Sequence, residues 1–282
     1  MKRIASIQDF SCLGKCSQTV ALPILSAMGL ECAALPTALL SAHTAFDGFV
    51  SYDLTAQLPP LIDHWKRIGL RLDAIYTGYL GSTEQIETVL RFFDDFPAPL
   101  RFVDPVMGDH GRLYAGFDAA FPEKMKCLCA RADVLTPNVT EACLLTGQEY
   151  RPTHSRDDLR ALLEGLLALG AKNAVITGVR PDAETMGVAA MQSDGKLRLY
   201  TTAYLPSVFH GAGDLFAATA VGALTLGRTL SEALTLATDY TALTLRTTLD
   251  DPDRRWYGVN FESTLPELMR RLSRLPQTED EP

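Results

Sequence analysis

Two spacings of apolar residues alternate along the chain, and each is typical of one kind of secondary structure. Short continuous apolar runs predict buried strands, and apolar residues repeated every three or four positions predict helices. The two runs on either side of Ser193, Asp194 and Gly195 alternate in polarity, which predicts an antiparallel hairpin over 187–192 and 197–202. The predicted strands are 3–8, 32–35, 74–77, 100–103, 134–136 and 173–177, and the predicted helices are 16–28, 60–68, 83–93, one that opens near 138, 157–169, 213–226 and 231–247.

This order of elements predicts the fold class. Repeated strand–helix alternation implies right-handed crossovers, and therefore an α/β fold in which helices cover both faces of a mostly parallel sheet. No internal repeat or low-complexity linker divides the chain, so we expect a single domain over residues 1–275. Residues 276–282 are acidic and end in proline, and we expect this tail to be disordered.

Composition and charge narrow the classes of function. Hydrophobic residues make up 47% of the 282 positions and charged residues 21%, so the chain can bury a large core. Lysine plus arginine is 26 and aspartate plus glutamate 34, which gives a net charge of −8. This balance argues against a protein that binds nucleic acid or an anionic membrane, and no segment is apolar and long enough to predict a membrane span. A small anionic ligand remains compatible, because it needs only a local pocket.

The cysteines predict a compartment rather than a metal site. Ser6, Gln8 and Asp9 interrupt the first apolar run, so no secretory signal is predicted and the thiols are expected to stay reduced in the cytoplasm. Two pairs of cysteines are close in sequence, Cys12 with Cys16 and Cys127 with Cys129. Neither pair has a matching second pair of cysteines or histidines nearby, which a structural zinc site needs. The six cysteines are Cys12, Cys16, Cys32, Cys127, Cys129 and Cys143.

Polar residues cluster directly after the predicted strands. In a parallel sheet, ligands bind beyond the carboxyl ends of the strands, so these positions are the first candidates for a site. The sequence contains neither a P-loop nor the glycine-rich turn of dinucleotide-binding proteins. The Gly-Asp-His-Gly stretch at 108–111 is expected to be a flexible loop that can close over a ligand. The residues that follow strands are Asp9, Ser11, Tyr79, Asp104, Asn138 and Glu141.

The strongest local signal is the turn Gly211-Ala212-Gly213-Asp214. Its two glycines allow a tight turn, and the apolar helix that follows points unpaired N–H groups and a positive dipole end at it. An anion, such as the charge that develops on a phosphoryl group during transfer, fits this place. From local chemistry alone, Asp214 is either a helix-capping carboxylate or a base that takes a proton from a substrate hydroxyl.

Several motifs resemble those of one enzyme family. Gly211-Ala212-Gly213-Asp214 is similar to the Gly-Thr-Gly-Asp signature of the ribokinase-like superfamily, with Ala212 in place of the threonine. The rest of the chain resembles the pyridoxal kinase family over nearly all of residues 3 to 275. The supporting motifs, in the order of that family, are Ser6-Ile7-Gln8, Leu35-Pro36-Thr37 with Ser41-Ala42-His43-Thr44, Thr77-Gly78-Tyr79-Leu80-Gly81-Ser82, Asp104-Pro105-Val106-Met107-Gly108-Asp109 and Thr136-Pro137-Asn138-Val139-Thr140-Glu141.

The resemblance implies a ribokinase-like three-layer fold and an ATP-dependent kinase. Such a kinase phosphorylates the 5′-hydroxymethyl group of pyridoxal, pyridoxine or pyridoxamine, uses Mg²⁺ and in some members K⁺, and forms a homodimer. Position by position, Asp214 matches the catalytic base, and Asp104 and Glu141 match the carboxylates that hold magnesium, mainly through water. The remaining matches are Gly211, Ala212 and Gly213 in the anion hole, Asp109, Thr136, Asn138 and Thr177 at the triphosphate, and Asp9, Ser11, Thr44 and Tyr79 on the substrate side.

Two departures from the family pattern keep alternatives open. Asp9 stands where many members have a serine that contacts the pyridine ring, and Ala212 lacks a hydroxyl that could contact phosphate. The Asp9-x-Ser11-x-x-Gly14 pattern also resembles hydroxymethylpyrimidine kinases, which typically carry cysteine at the position of Asp214. A hydroxymethylpyrimidine kinase, or a non-catalytic protein that binds B6 or a nucleotide, are therefore the alternatives.

Overall fold

A central sheet of nine strands organises the molecule. The computed structural model describes residues 1–275, and the predicted disorder of 276–282 lies outside the described residues. The strand order across the sheet is β11-β10-β9-β8-β5-β4-β1-β2-β3. The strands of this sheet are β1 (Arg3–Ser11), β2 (Glu31–Leu40), β3 (Ser51–Asp53), β4 (Ala74–Thr77), β5 (Leu100–Val103), β8 (Val134–Leu135), β9 (Ala174–Val179), β10 (Thr185–Met191) and β11 (Arg198–Ala203); β6 (Gly108–Asp109) and β7 (Arg112–Leu113) form a separate hairpin.

The middle of the sheet is parallel and its two ends are antiparallel. Strand β1 pairs in parallel with β2 and β4, and the parallel run continues through β5, β8 and β9. The predicted hairpin is confirmed as β10 and β11, which extend the sheet antiparallel to β9 at one end, while β3 pairs antiparallel with β2 at the other. The carboxyl ends of the parallel strands therefore meet along one edge.

Helices cover both faces, as predicted. Neighbouring strand residues point to opposite faces: Ile75 and Val103 lie in one core cluster, whereas Tyr76 and Phe102 lie in the other. The first cluster packs under α2 to α6 and the second under α1 and α7 to α9. The helices are α1 (Gln18–Ala27), α2 (Leu58–Arg67), α3 (Thr83–Asp95), α4 (Ala120–Cys129), α5 (Val139–Thr146), α6 (Arg156–Ala168), α7 (Ala212–Thr225), α8 (Leu230–Asp250) and α9 (Phe261–Arg274).

The predicted first strand was too short. Strand β1 runs to Ser11, because its pairing with β2 continues past an irregularity between Gln8 and Phe10. Asp9 and Ser11 were placed after the strand and instead lie inside it, with exposed fractions of only 6% and 1%. The bulge lets the strand continue while the register shifts, so polarity alone did not show where β1 ends.

Other elements were missed altogether. Strand β3 and the helices α4 and α9 were not predicted, because β3 is short and wholly exposed and α9 has an interior proline, Pro266. The 108–111 stretch, predicted as a loop, forms the tip of the β6–β7 hairpin, where His110 and Gly111 have φ values of 52° and 76°. Within residues 1–275, no helix is both long and apolar enough to cross a membrane. All six cysteines are free thiols.

Candidate active site

The candidate residues gather where the parallel strands end. Asp104 comes directly after β5, and its backbone N–H donates to the carbonyl of Thr77 at the end of β4, 2.9 Å away. Asn138 and Thr177 form a parallel bridge that joins the segment after β8 to β9. The sheet therefore brings segments distant in sequence to one edge.

The turn before α7 is closely packed on one side and open on the other. Gly211 has a φ of 78°, and a Cβ at this position would lie 1.8 Å from the backbone oxygen of Lys15. Only glycine fits there, for both reasons. At Gly213, by contrast, an added Cβ would meet no atom within 4 Å, so a ligand can approach the backbone. Helix α7 begins at Ala212, and its first N–H groups point at this opening.

Asp214 is the third residue of α7 and the acidic residue of its first turn. The N-cap residue is Gly211, which has no side chain that could cap the helix. Burial raises the pKa of Asp214 to about 7, and the charge of Asp9 adds to this rise, while backbone N–H groups of Ser17 and of Asp214 itself oppose it. A carboxylate with a pKa near neutrality suits proton transfer at neutral pH.

Asp104 and Glu141 form a pair of carboxylates, and Asp104 is also within charge interaction of Asp214. Burial raises the pKa of Asp104 well above its usual range, and the charges of Glu141 and Asp214 raise it further. Burial also raises the pKa of Glu141, although its carboxylate accepts hydrogen bonds from the backbone N–H groups of Asn138 (2.8 Å) and Met107 (3.0 Å). Within residues 1–275, no lysine or arginine forms an ion pair with Asp104 or Glu141.

A divalent cation fits this pair by its donor chemistry. Mg²⁺ is commonly bound in proteins by one or two carboxylates together with phosphate oxygens and water. The charges of Asp104 and Glu141 repel each other, and a cation between them would relieve that repulsion. Among the described residues, no group of three or more metal-ligating side chains is present, so protein ligands alone do not complete a site.

Four residues expected at the triphosphate lie on connected segments. Asn138 caps α5 in a capping box with Glu141, and its Nδ2 donates to the carbonyl of Gly108 at 2.8 Å. This bond ties the β6–β7 hairpin to α5, and the exposed Asp109 lies on that hairpin. Thr136 is buried after β8, where its hydroxyl approaches the carbonyl of Val103 at 3.3 Å, and Thr177 lies within β9, where its N–H donates to the carbonyl of Pro137 at 2.9 Å.

On the substrate side, Asp9 and Ser11 are held inside the protein. Asp9 accepts hydrogen bonds from the hydroxyls of Ser17 at 2.5 Å and Ser11 at 3.1 Å. Burial raises the pKa of Asp9, and these two hydroxyls oppose the rise. The charge of Asp9 in turn raises the pKa of the half-buried Tyr79, although burial of the phenol is the larger cause.

Tyr79 and Thr44 differ in how firmly they are held. The Tyr79 carbonyl accepts a hydrogen bond from the Thr37 hydroxyl at 2.8 Å, and its ring lies 5.8 Å from that of Phe117. Thr44 lies exposed in the loop after β2. Its neighbour His43 contacts His210, with 4.6 Å between ring centroids, so this loop meets the segment before Gly211.

Sequence reasoning missed two features of the site. The first is Ser17, whose hydroxyl donates to Asp9. It fell inside the predicted helix 16–28, whereas in the structure it is the N-cap residue of α1. The second feature is a group of aromatic rings where three loops meet, with centroid distances from 4.6 to 6.4 Å. No motif links its members, which come from distant segments. They are His43, Phe46, His210, Trp256 and Tyr257.

Comparisons with known proteins agree with this geometry. The model of the phosphomethylpyrimidine kinase family matches residues 63–253. The pyridoxal kinase PdxY of Rubrobacter xylanophilus is 33% identical over 262 residues, which cover 87% of each chain. The crystal structure of pyridoxal kinase from Lactobacillus plantarum superposes with a TM-score of 0.89 at 36% identity and covers 96% of this chain and 97% of its own.

A third relative connects the two family names. It is a Bacteroides thetaiotaomicron protein, classed provisionally as a phosphomethylpyrimidine kinase, in a crystal form with pyridoxal. It is 39% identical to this chain, with a TM-score of 0.89 and 95% of each chain covered. The fold and these similarities agree with one another, and the chain belongs to the pyridoxal kinase family of ribokinase-like proteins, within the larger group that the phosphomethylpyrimidine kinase model describes.

Proposed function

We propose that the chain transfers the γ-phosphoryl group of ATP to the 5′-hydroxymethyl group of pyridoxal, pyridoxine or pyridoxamine. One observation carries the proposal: Asp214 lies in the first turn of α7, beside the open turn at Gly213 and within charge interaction of Asp104. A proton acceptor, an anion-binding turn and a candidate metal carboxylate are thereby adjacent. Phosphoryl transfer to a hydroxyl needs these three components.

In the proposed reaction, Asp214 takes the proton of the substrate hydroxyl as the hydroxyl oxygen bonds to the γ-phosphorus, and the bond from that phosphorus to the bridging oxygen breaks, so that ADP leaves. The N–H groups of Gly211, Ala212 and Gly213 face the charge that develops on the transferred group, and the dipole of α7 adds to this stabilisation. Ala212 lacks the hydroxyl of the threonine in the family signature, but the backbone N–H donors of the turn are still present. Because burial already brings the pKa of Asp214 to about 7, its ionised form is a stronger base than an ordinary aspartate.

Magnesium and ATP would be held beside this centre. Asp104 and Glu141 would hold Mg²⁺, mainly through water, and the ion would neutralise charge on the phosphates. Asn138 at the start of α5 and Thr177 within β9 form a parallel bridge where the triphosphate would pass, with Asp109 on the hairpin and Thr136 directly after β8. The tie between Asn138 and Gly108 would let the hairpin respond to bound nucleotide.

The B6 ring would lie between β1 and the segment after β4. Tyr79 would present its ring to the pyridine, and Thr44 would approach from the loop after β2. Asp9 and Ser11 would meet the polar end of the ring. Each Asp9 oxygen accepts one hydroxyl in the structure, which leaves acceptor capacity for a protonated ring nitrogen or the 3-hydroxyl.

A hydroxymethylpyrimidine kinase is the second candidate, because the matching family model bears that name. Asp214 favours the B6 assignment, since hydroxymethylpyrimidine kinases typically carry cysteine there. The presence of Asp214, Asp104 and Glu141 together argues against a protein that only binds its ligand, because binding has less need of all three.

The experiment is an ADP-release assay with equal concentrations of the three B6 vitamers, hydroxymethylpyrimidine and small sugars. We expect the highest kcat/KM with a B6 vitamer. A higher kcat/KM with the pyrimidine would assign the chain to the second candidate. If none of the compounds raised ADP release above background, the result would support a protein that only binds its ligand.

Three further properties are proposed from the resemblance to the pyridoxal kinase family: the oligomeric state, the location in the cell and a requirement for potassium. We expect a homodimer, which light scattering in solution tests, and a cytoplasmic location, which fits the free thiols. A potassium requirement is tested by replacing K⁺ with tetramethylammonium in the assay.

A further inference from the structure

The loop at residues 41–50, which joins β2 to β3 and carries Thr44, is closed at its base. The Ser41 N–H donates to the Val50 carbonyl at 2.8 Å, and the Val50 N–H donates to the Ser41 hydroxyl at 2.8 Å. Between these residues Thr44 is exposed, and the strand β3 that follows is exposed at all three positions. Because core packing does not fix the middle of this Thr44 loop, other contacts must hold it in one position.

His43 holds the loop on one side of Thr44. Its N–H donates to the Leu13 carbonyl, in the segment after β1, at 2.8 Å, and its Nδ1 accepts from the Ala45 N–H at 3.1 Å. Its ring lies 4.6 Å from that of His210, directly before the turn that opens α7. Two segments of the candidate site therefore contact the loop at this residue.

Phe46 holds the loop on the other side. Its ring centroid lies 4.6 Å from that of Trp256 and 5.3 Å from that of Tyr257, with the rings tilted by 48° and 47°. These separations are in the range where aromatic pairs attract each other. Trp256 remains 57% exposed and Phe46 is half-buried, so the pair lies at the surface and fixes the loop without being part of the core.

Trp256 is a fixed partner, because the chain just after it is tightly packed. A Cβ at Gly258 would lie 2.3 Å from the Cβ of Lys15, so the two segments are in close contact there. The Lys15 ammonium pairs with Glu262 in the first turn of α9 at 2.8 Å, and Val259 between them is fully buried. The loop is thus the movable side of the contact between Phe46 and Trp256.

We propose that Phe46 is a positioning residue for the substrate, because its contact with Trp256 holds Thr44 in place beside the B6 ring. This inference rests on the proposed function, which places Thr44 on the substrate side. A loop released from Trp256 would occupy the binding position only part of the time. The apparent affinity for the vitamer falls by that fraction, whereas a saturated enzyme still has every loop in place.

The test removes either ring of the pair. In Phe46→Ala and in Trp256→Ala, we expect the KM for pyridoxal to rise about 3- to 10-fold, the range that corresponds to the loss of one aromatic pair. The kcat and the KM for ATP should each stay within about twofold of normal, because the position of the loop affects only vitamer binding. Calorimetric titration with pyridoxal in the absence of ATP should show the same factor in Kd.

Two further variants separate the contact from a general effect on the loop. Phe46→Tyr keeps an aromatic ring and should restore the normal KM for pyridoxal. Phe49→Ala is the matched control: Phe49 lies in the same loop and is 39% exposed, and within residues 1–275 no aromatic ring is paired with it. Its KM for pyridoxal should be unchanged.

A double variant tests whether the two rings act through each other. Phe46→Ala combined with Trp256→Ala should raise the KM for pyridoxal no further than the stronger single variant, because both substitutions remove the same contact. Thermal unfolding accompanies each measurement, and both positions are accessible enough for the variants to fold.

Four results would overturn the inference: a normal KM for pyridoxal in Phe46→Ala, a loss of kcat without a change of KM, an equal rise in the KM for ATP, or multiplied effects in the double variant. Failure of the proposed function gives a different result, since the unmodified chain would then release no ADP above background with pyridoxal.

Discussion

Replacement of Asp214 by asparagine should lower the catalytic rate and, at alkaline pH, raise the stability of the fold. The substitution keeps the size of the side chain and an oxygen that can accept hydrogen bonds, but it removes the base. Loss of a general base typically lowers the rate by about 10²–10⁴-fold. We therefore expect kcat to fall by that factor while ATP binding is retained.

The pKa of Asp214 sets the size of the stability effect. Its rise from the ordinary 3.8 to about 7 corresponds to about 4 kcal/mol, at about 1.4 kcal/mol per pKa unit. Because the folded-state pKa is raised, the carboxyl contributes this stability fully below about pH 4 and loses it as the pH rises through about 7. Asparagine does not ionise, so the variant should be the more stable protein at alkaline pH.

Thermal unfolding between pH 5 and pH 8.5 measures this difference, alongside ADP release at each pH. We expect the melting temperature of the variant to exceed that of the unmodified chain by about 4–8 °C at pH 8.5, and the gap to narrow towards pH 5. A variant that melts earlier at alkaline pH would show that the ionised carboxylate stabilises the fold. A kcat within tenfold of normal would refute the role as base.

Three further predictions concern the metal, the turn and the substrate ring. Asp104→Asn and Glu141→Gln should each raise the magnesium concentration for half-maximal rate, because each removes a charge that would hold the ion, and unchanged magnesium dependence in both would give them a structural role. Gly211→Ala should lose activity and melt at a lower temperature than the control Gly195→Ala. Both glycines have positive φ, but only at Gly211 would an added Cβ meet a backbone oxygen, at 1.8 Å. Equal melting temperatures of the two variants would contradict the packing argument. Asp9→Ser should change the ranking of kcat/KM among pyridoxal, pyridoxine and pyridoxamine, and an unchanged ranking would remove Asp9 from the ring contact.

Much of the fold could be predicted because the parallel strands are buried on both faces. Strands β4 and β5 have the predicted bounds, since each is a short, largely apolar run, and β5 stops directly before Asp104 and Pro105. Strand β1 was harder, because Asp9 and Ser11 are polar yet buried, and the Asp9 carboxylate accepts hydrogen bonds from the hydroxyls of Ser11 and Ser17. Such contacts depend on how the chain folds and leave no periodic signal in the sequence.

The same distinction applies to the site. The turn at 211–214 could be found because glycines and a helix start are local features. The contact of the Ser17 hydroxyl with Asp9 could not, because it depends on how β1 and the start of α1 meet. The aromatic contact of His43 with His210 likewise joins loops that lie far apart in the sequence.

The most direct test of the proposed reaction is identification of the phosphorylated atom. The chain is incubated with ATP and either pyridoxal or 5′-deoxypyridoxal, which lacks the acceptor hydroxyl, and the products are analysed by phosphorus NMR and mass spectrometry. We predict pyridoxal 5′-phosphate and an equal amount of ADP from pyridoxal, and neither product above background from the deoxy analogue. Phosphate on any other atom, or ADP formed equally with both compounds, would contradict the proposed function.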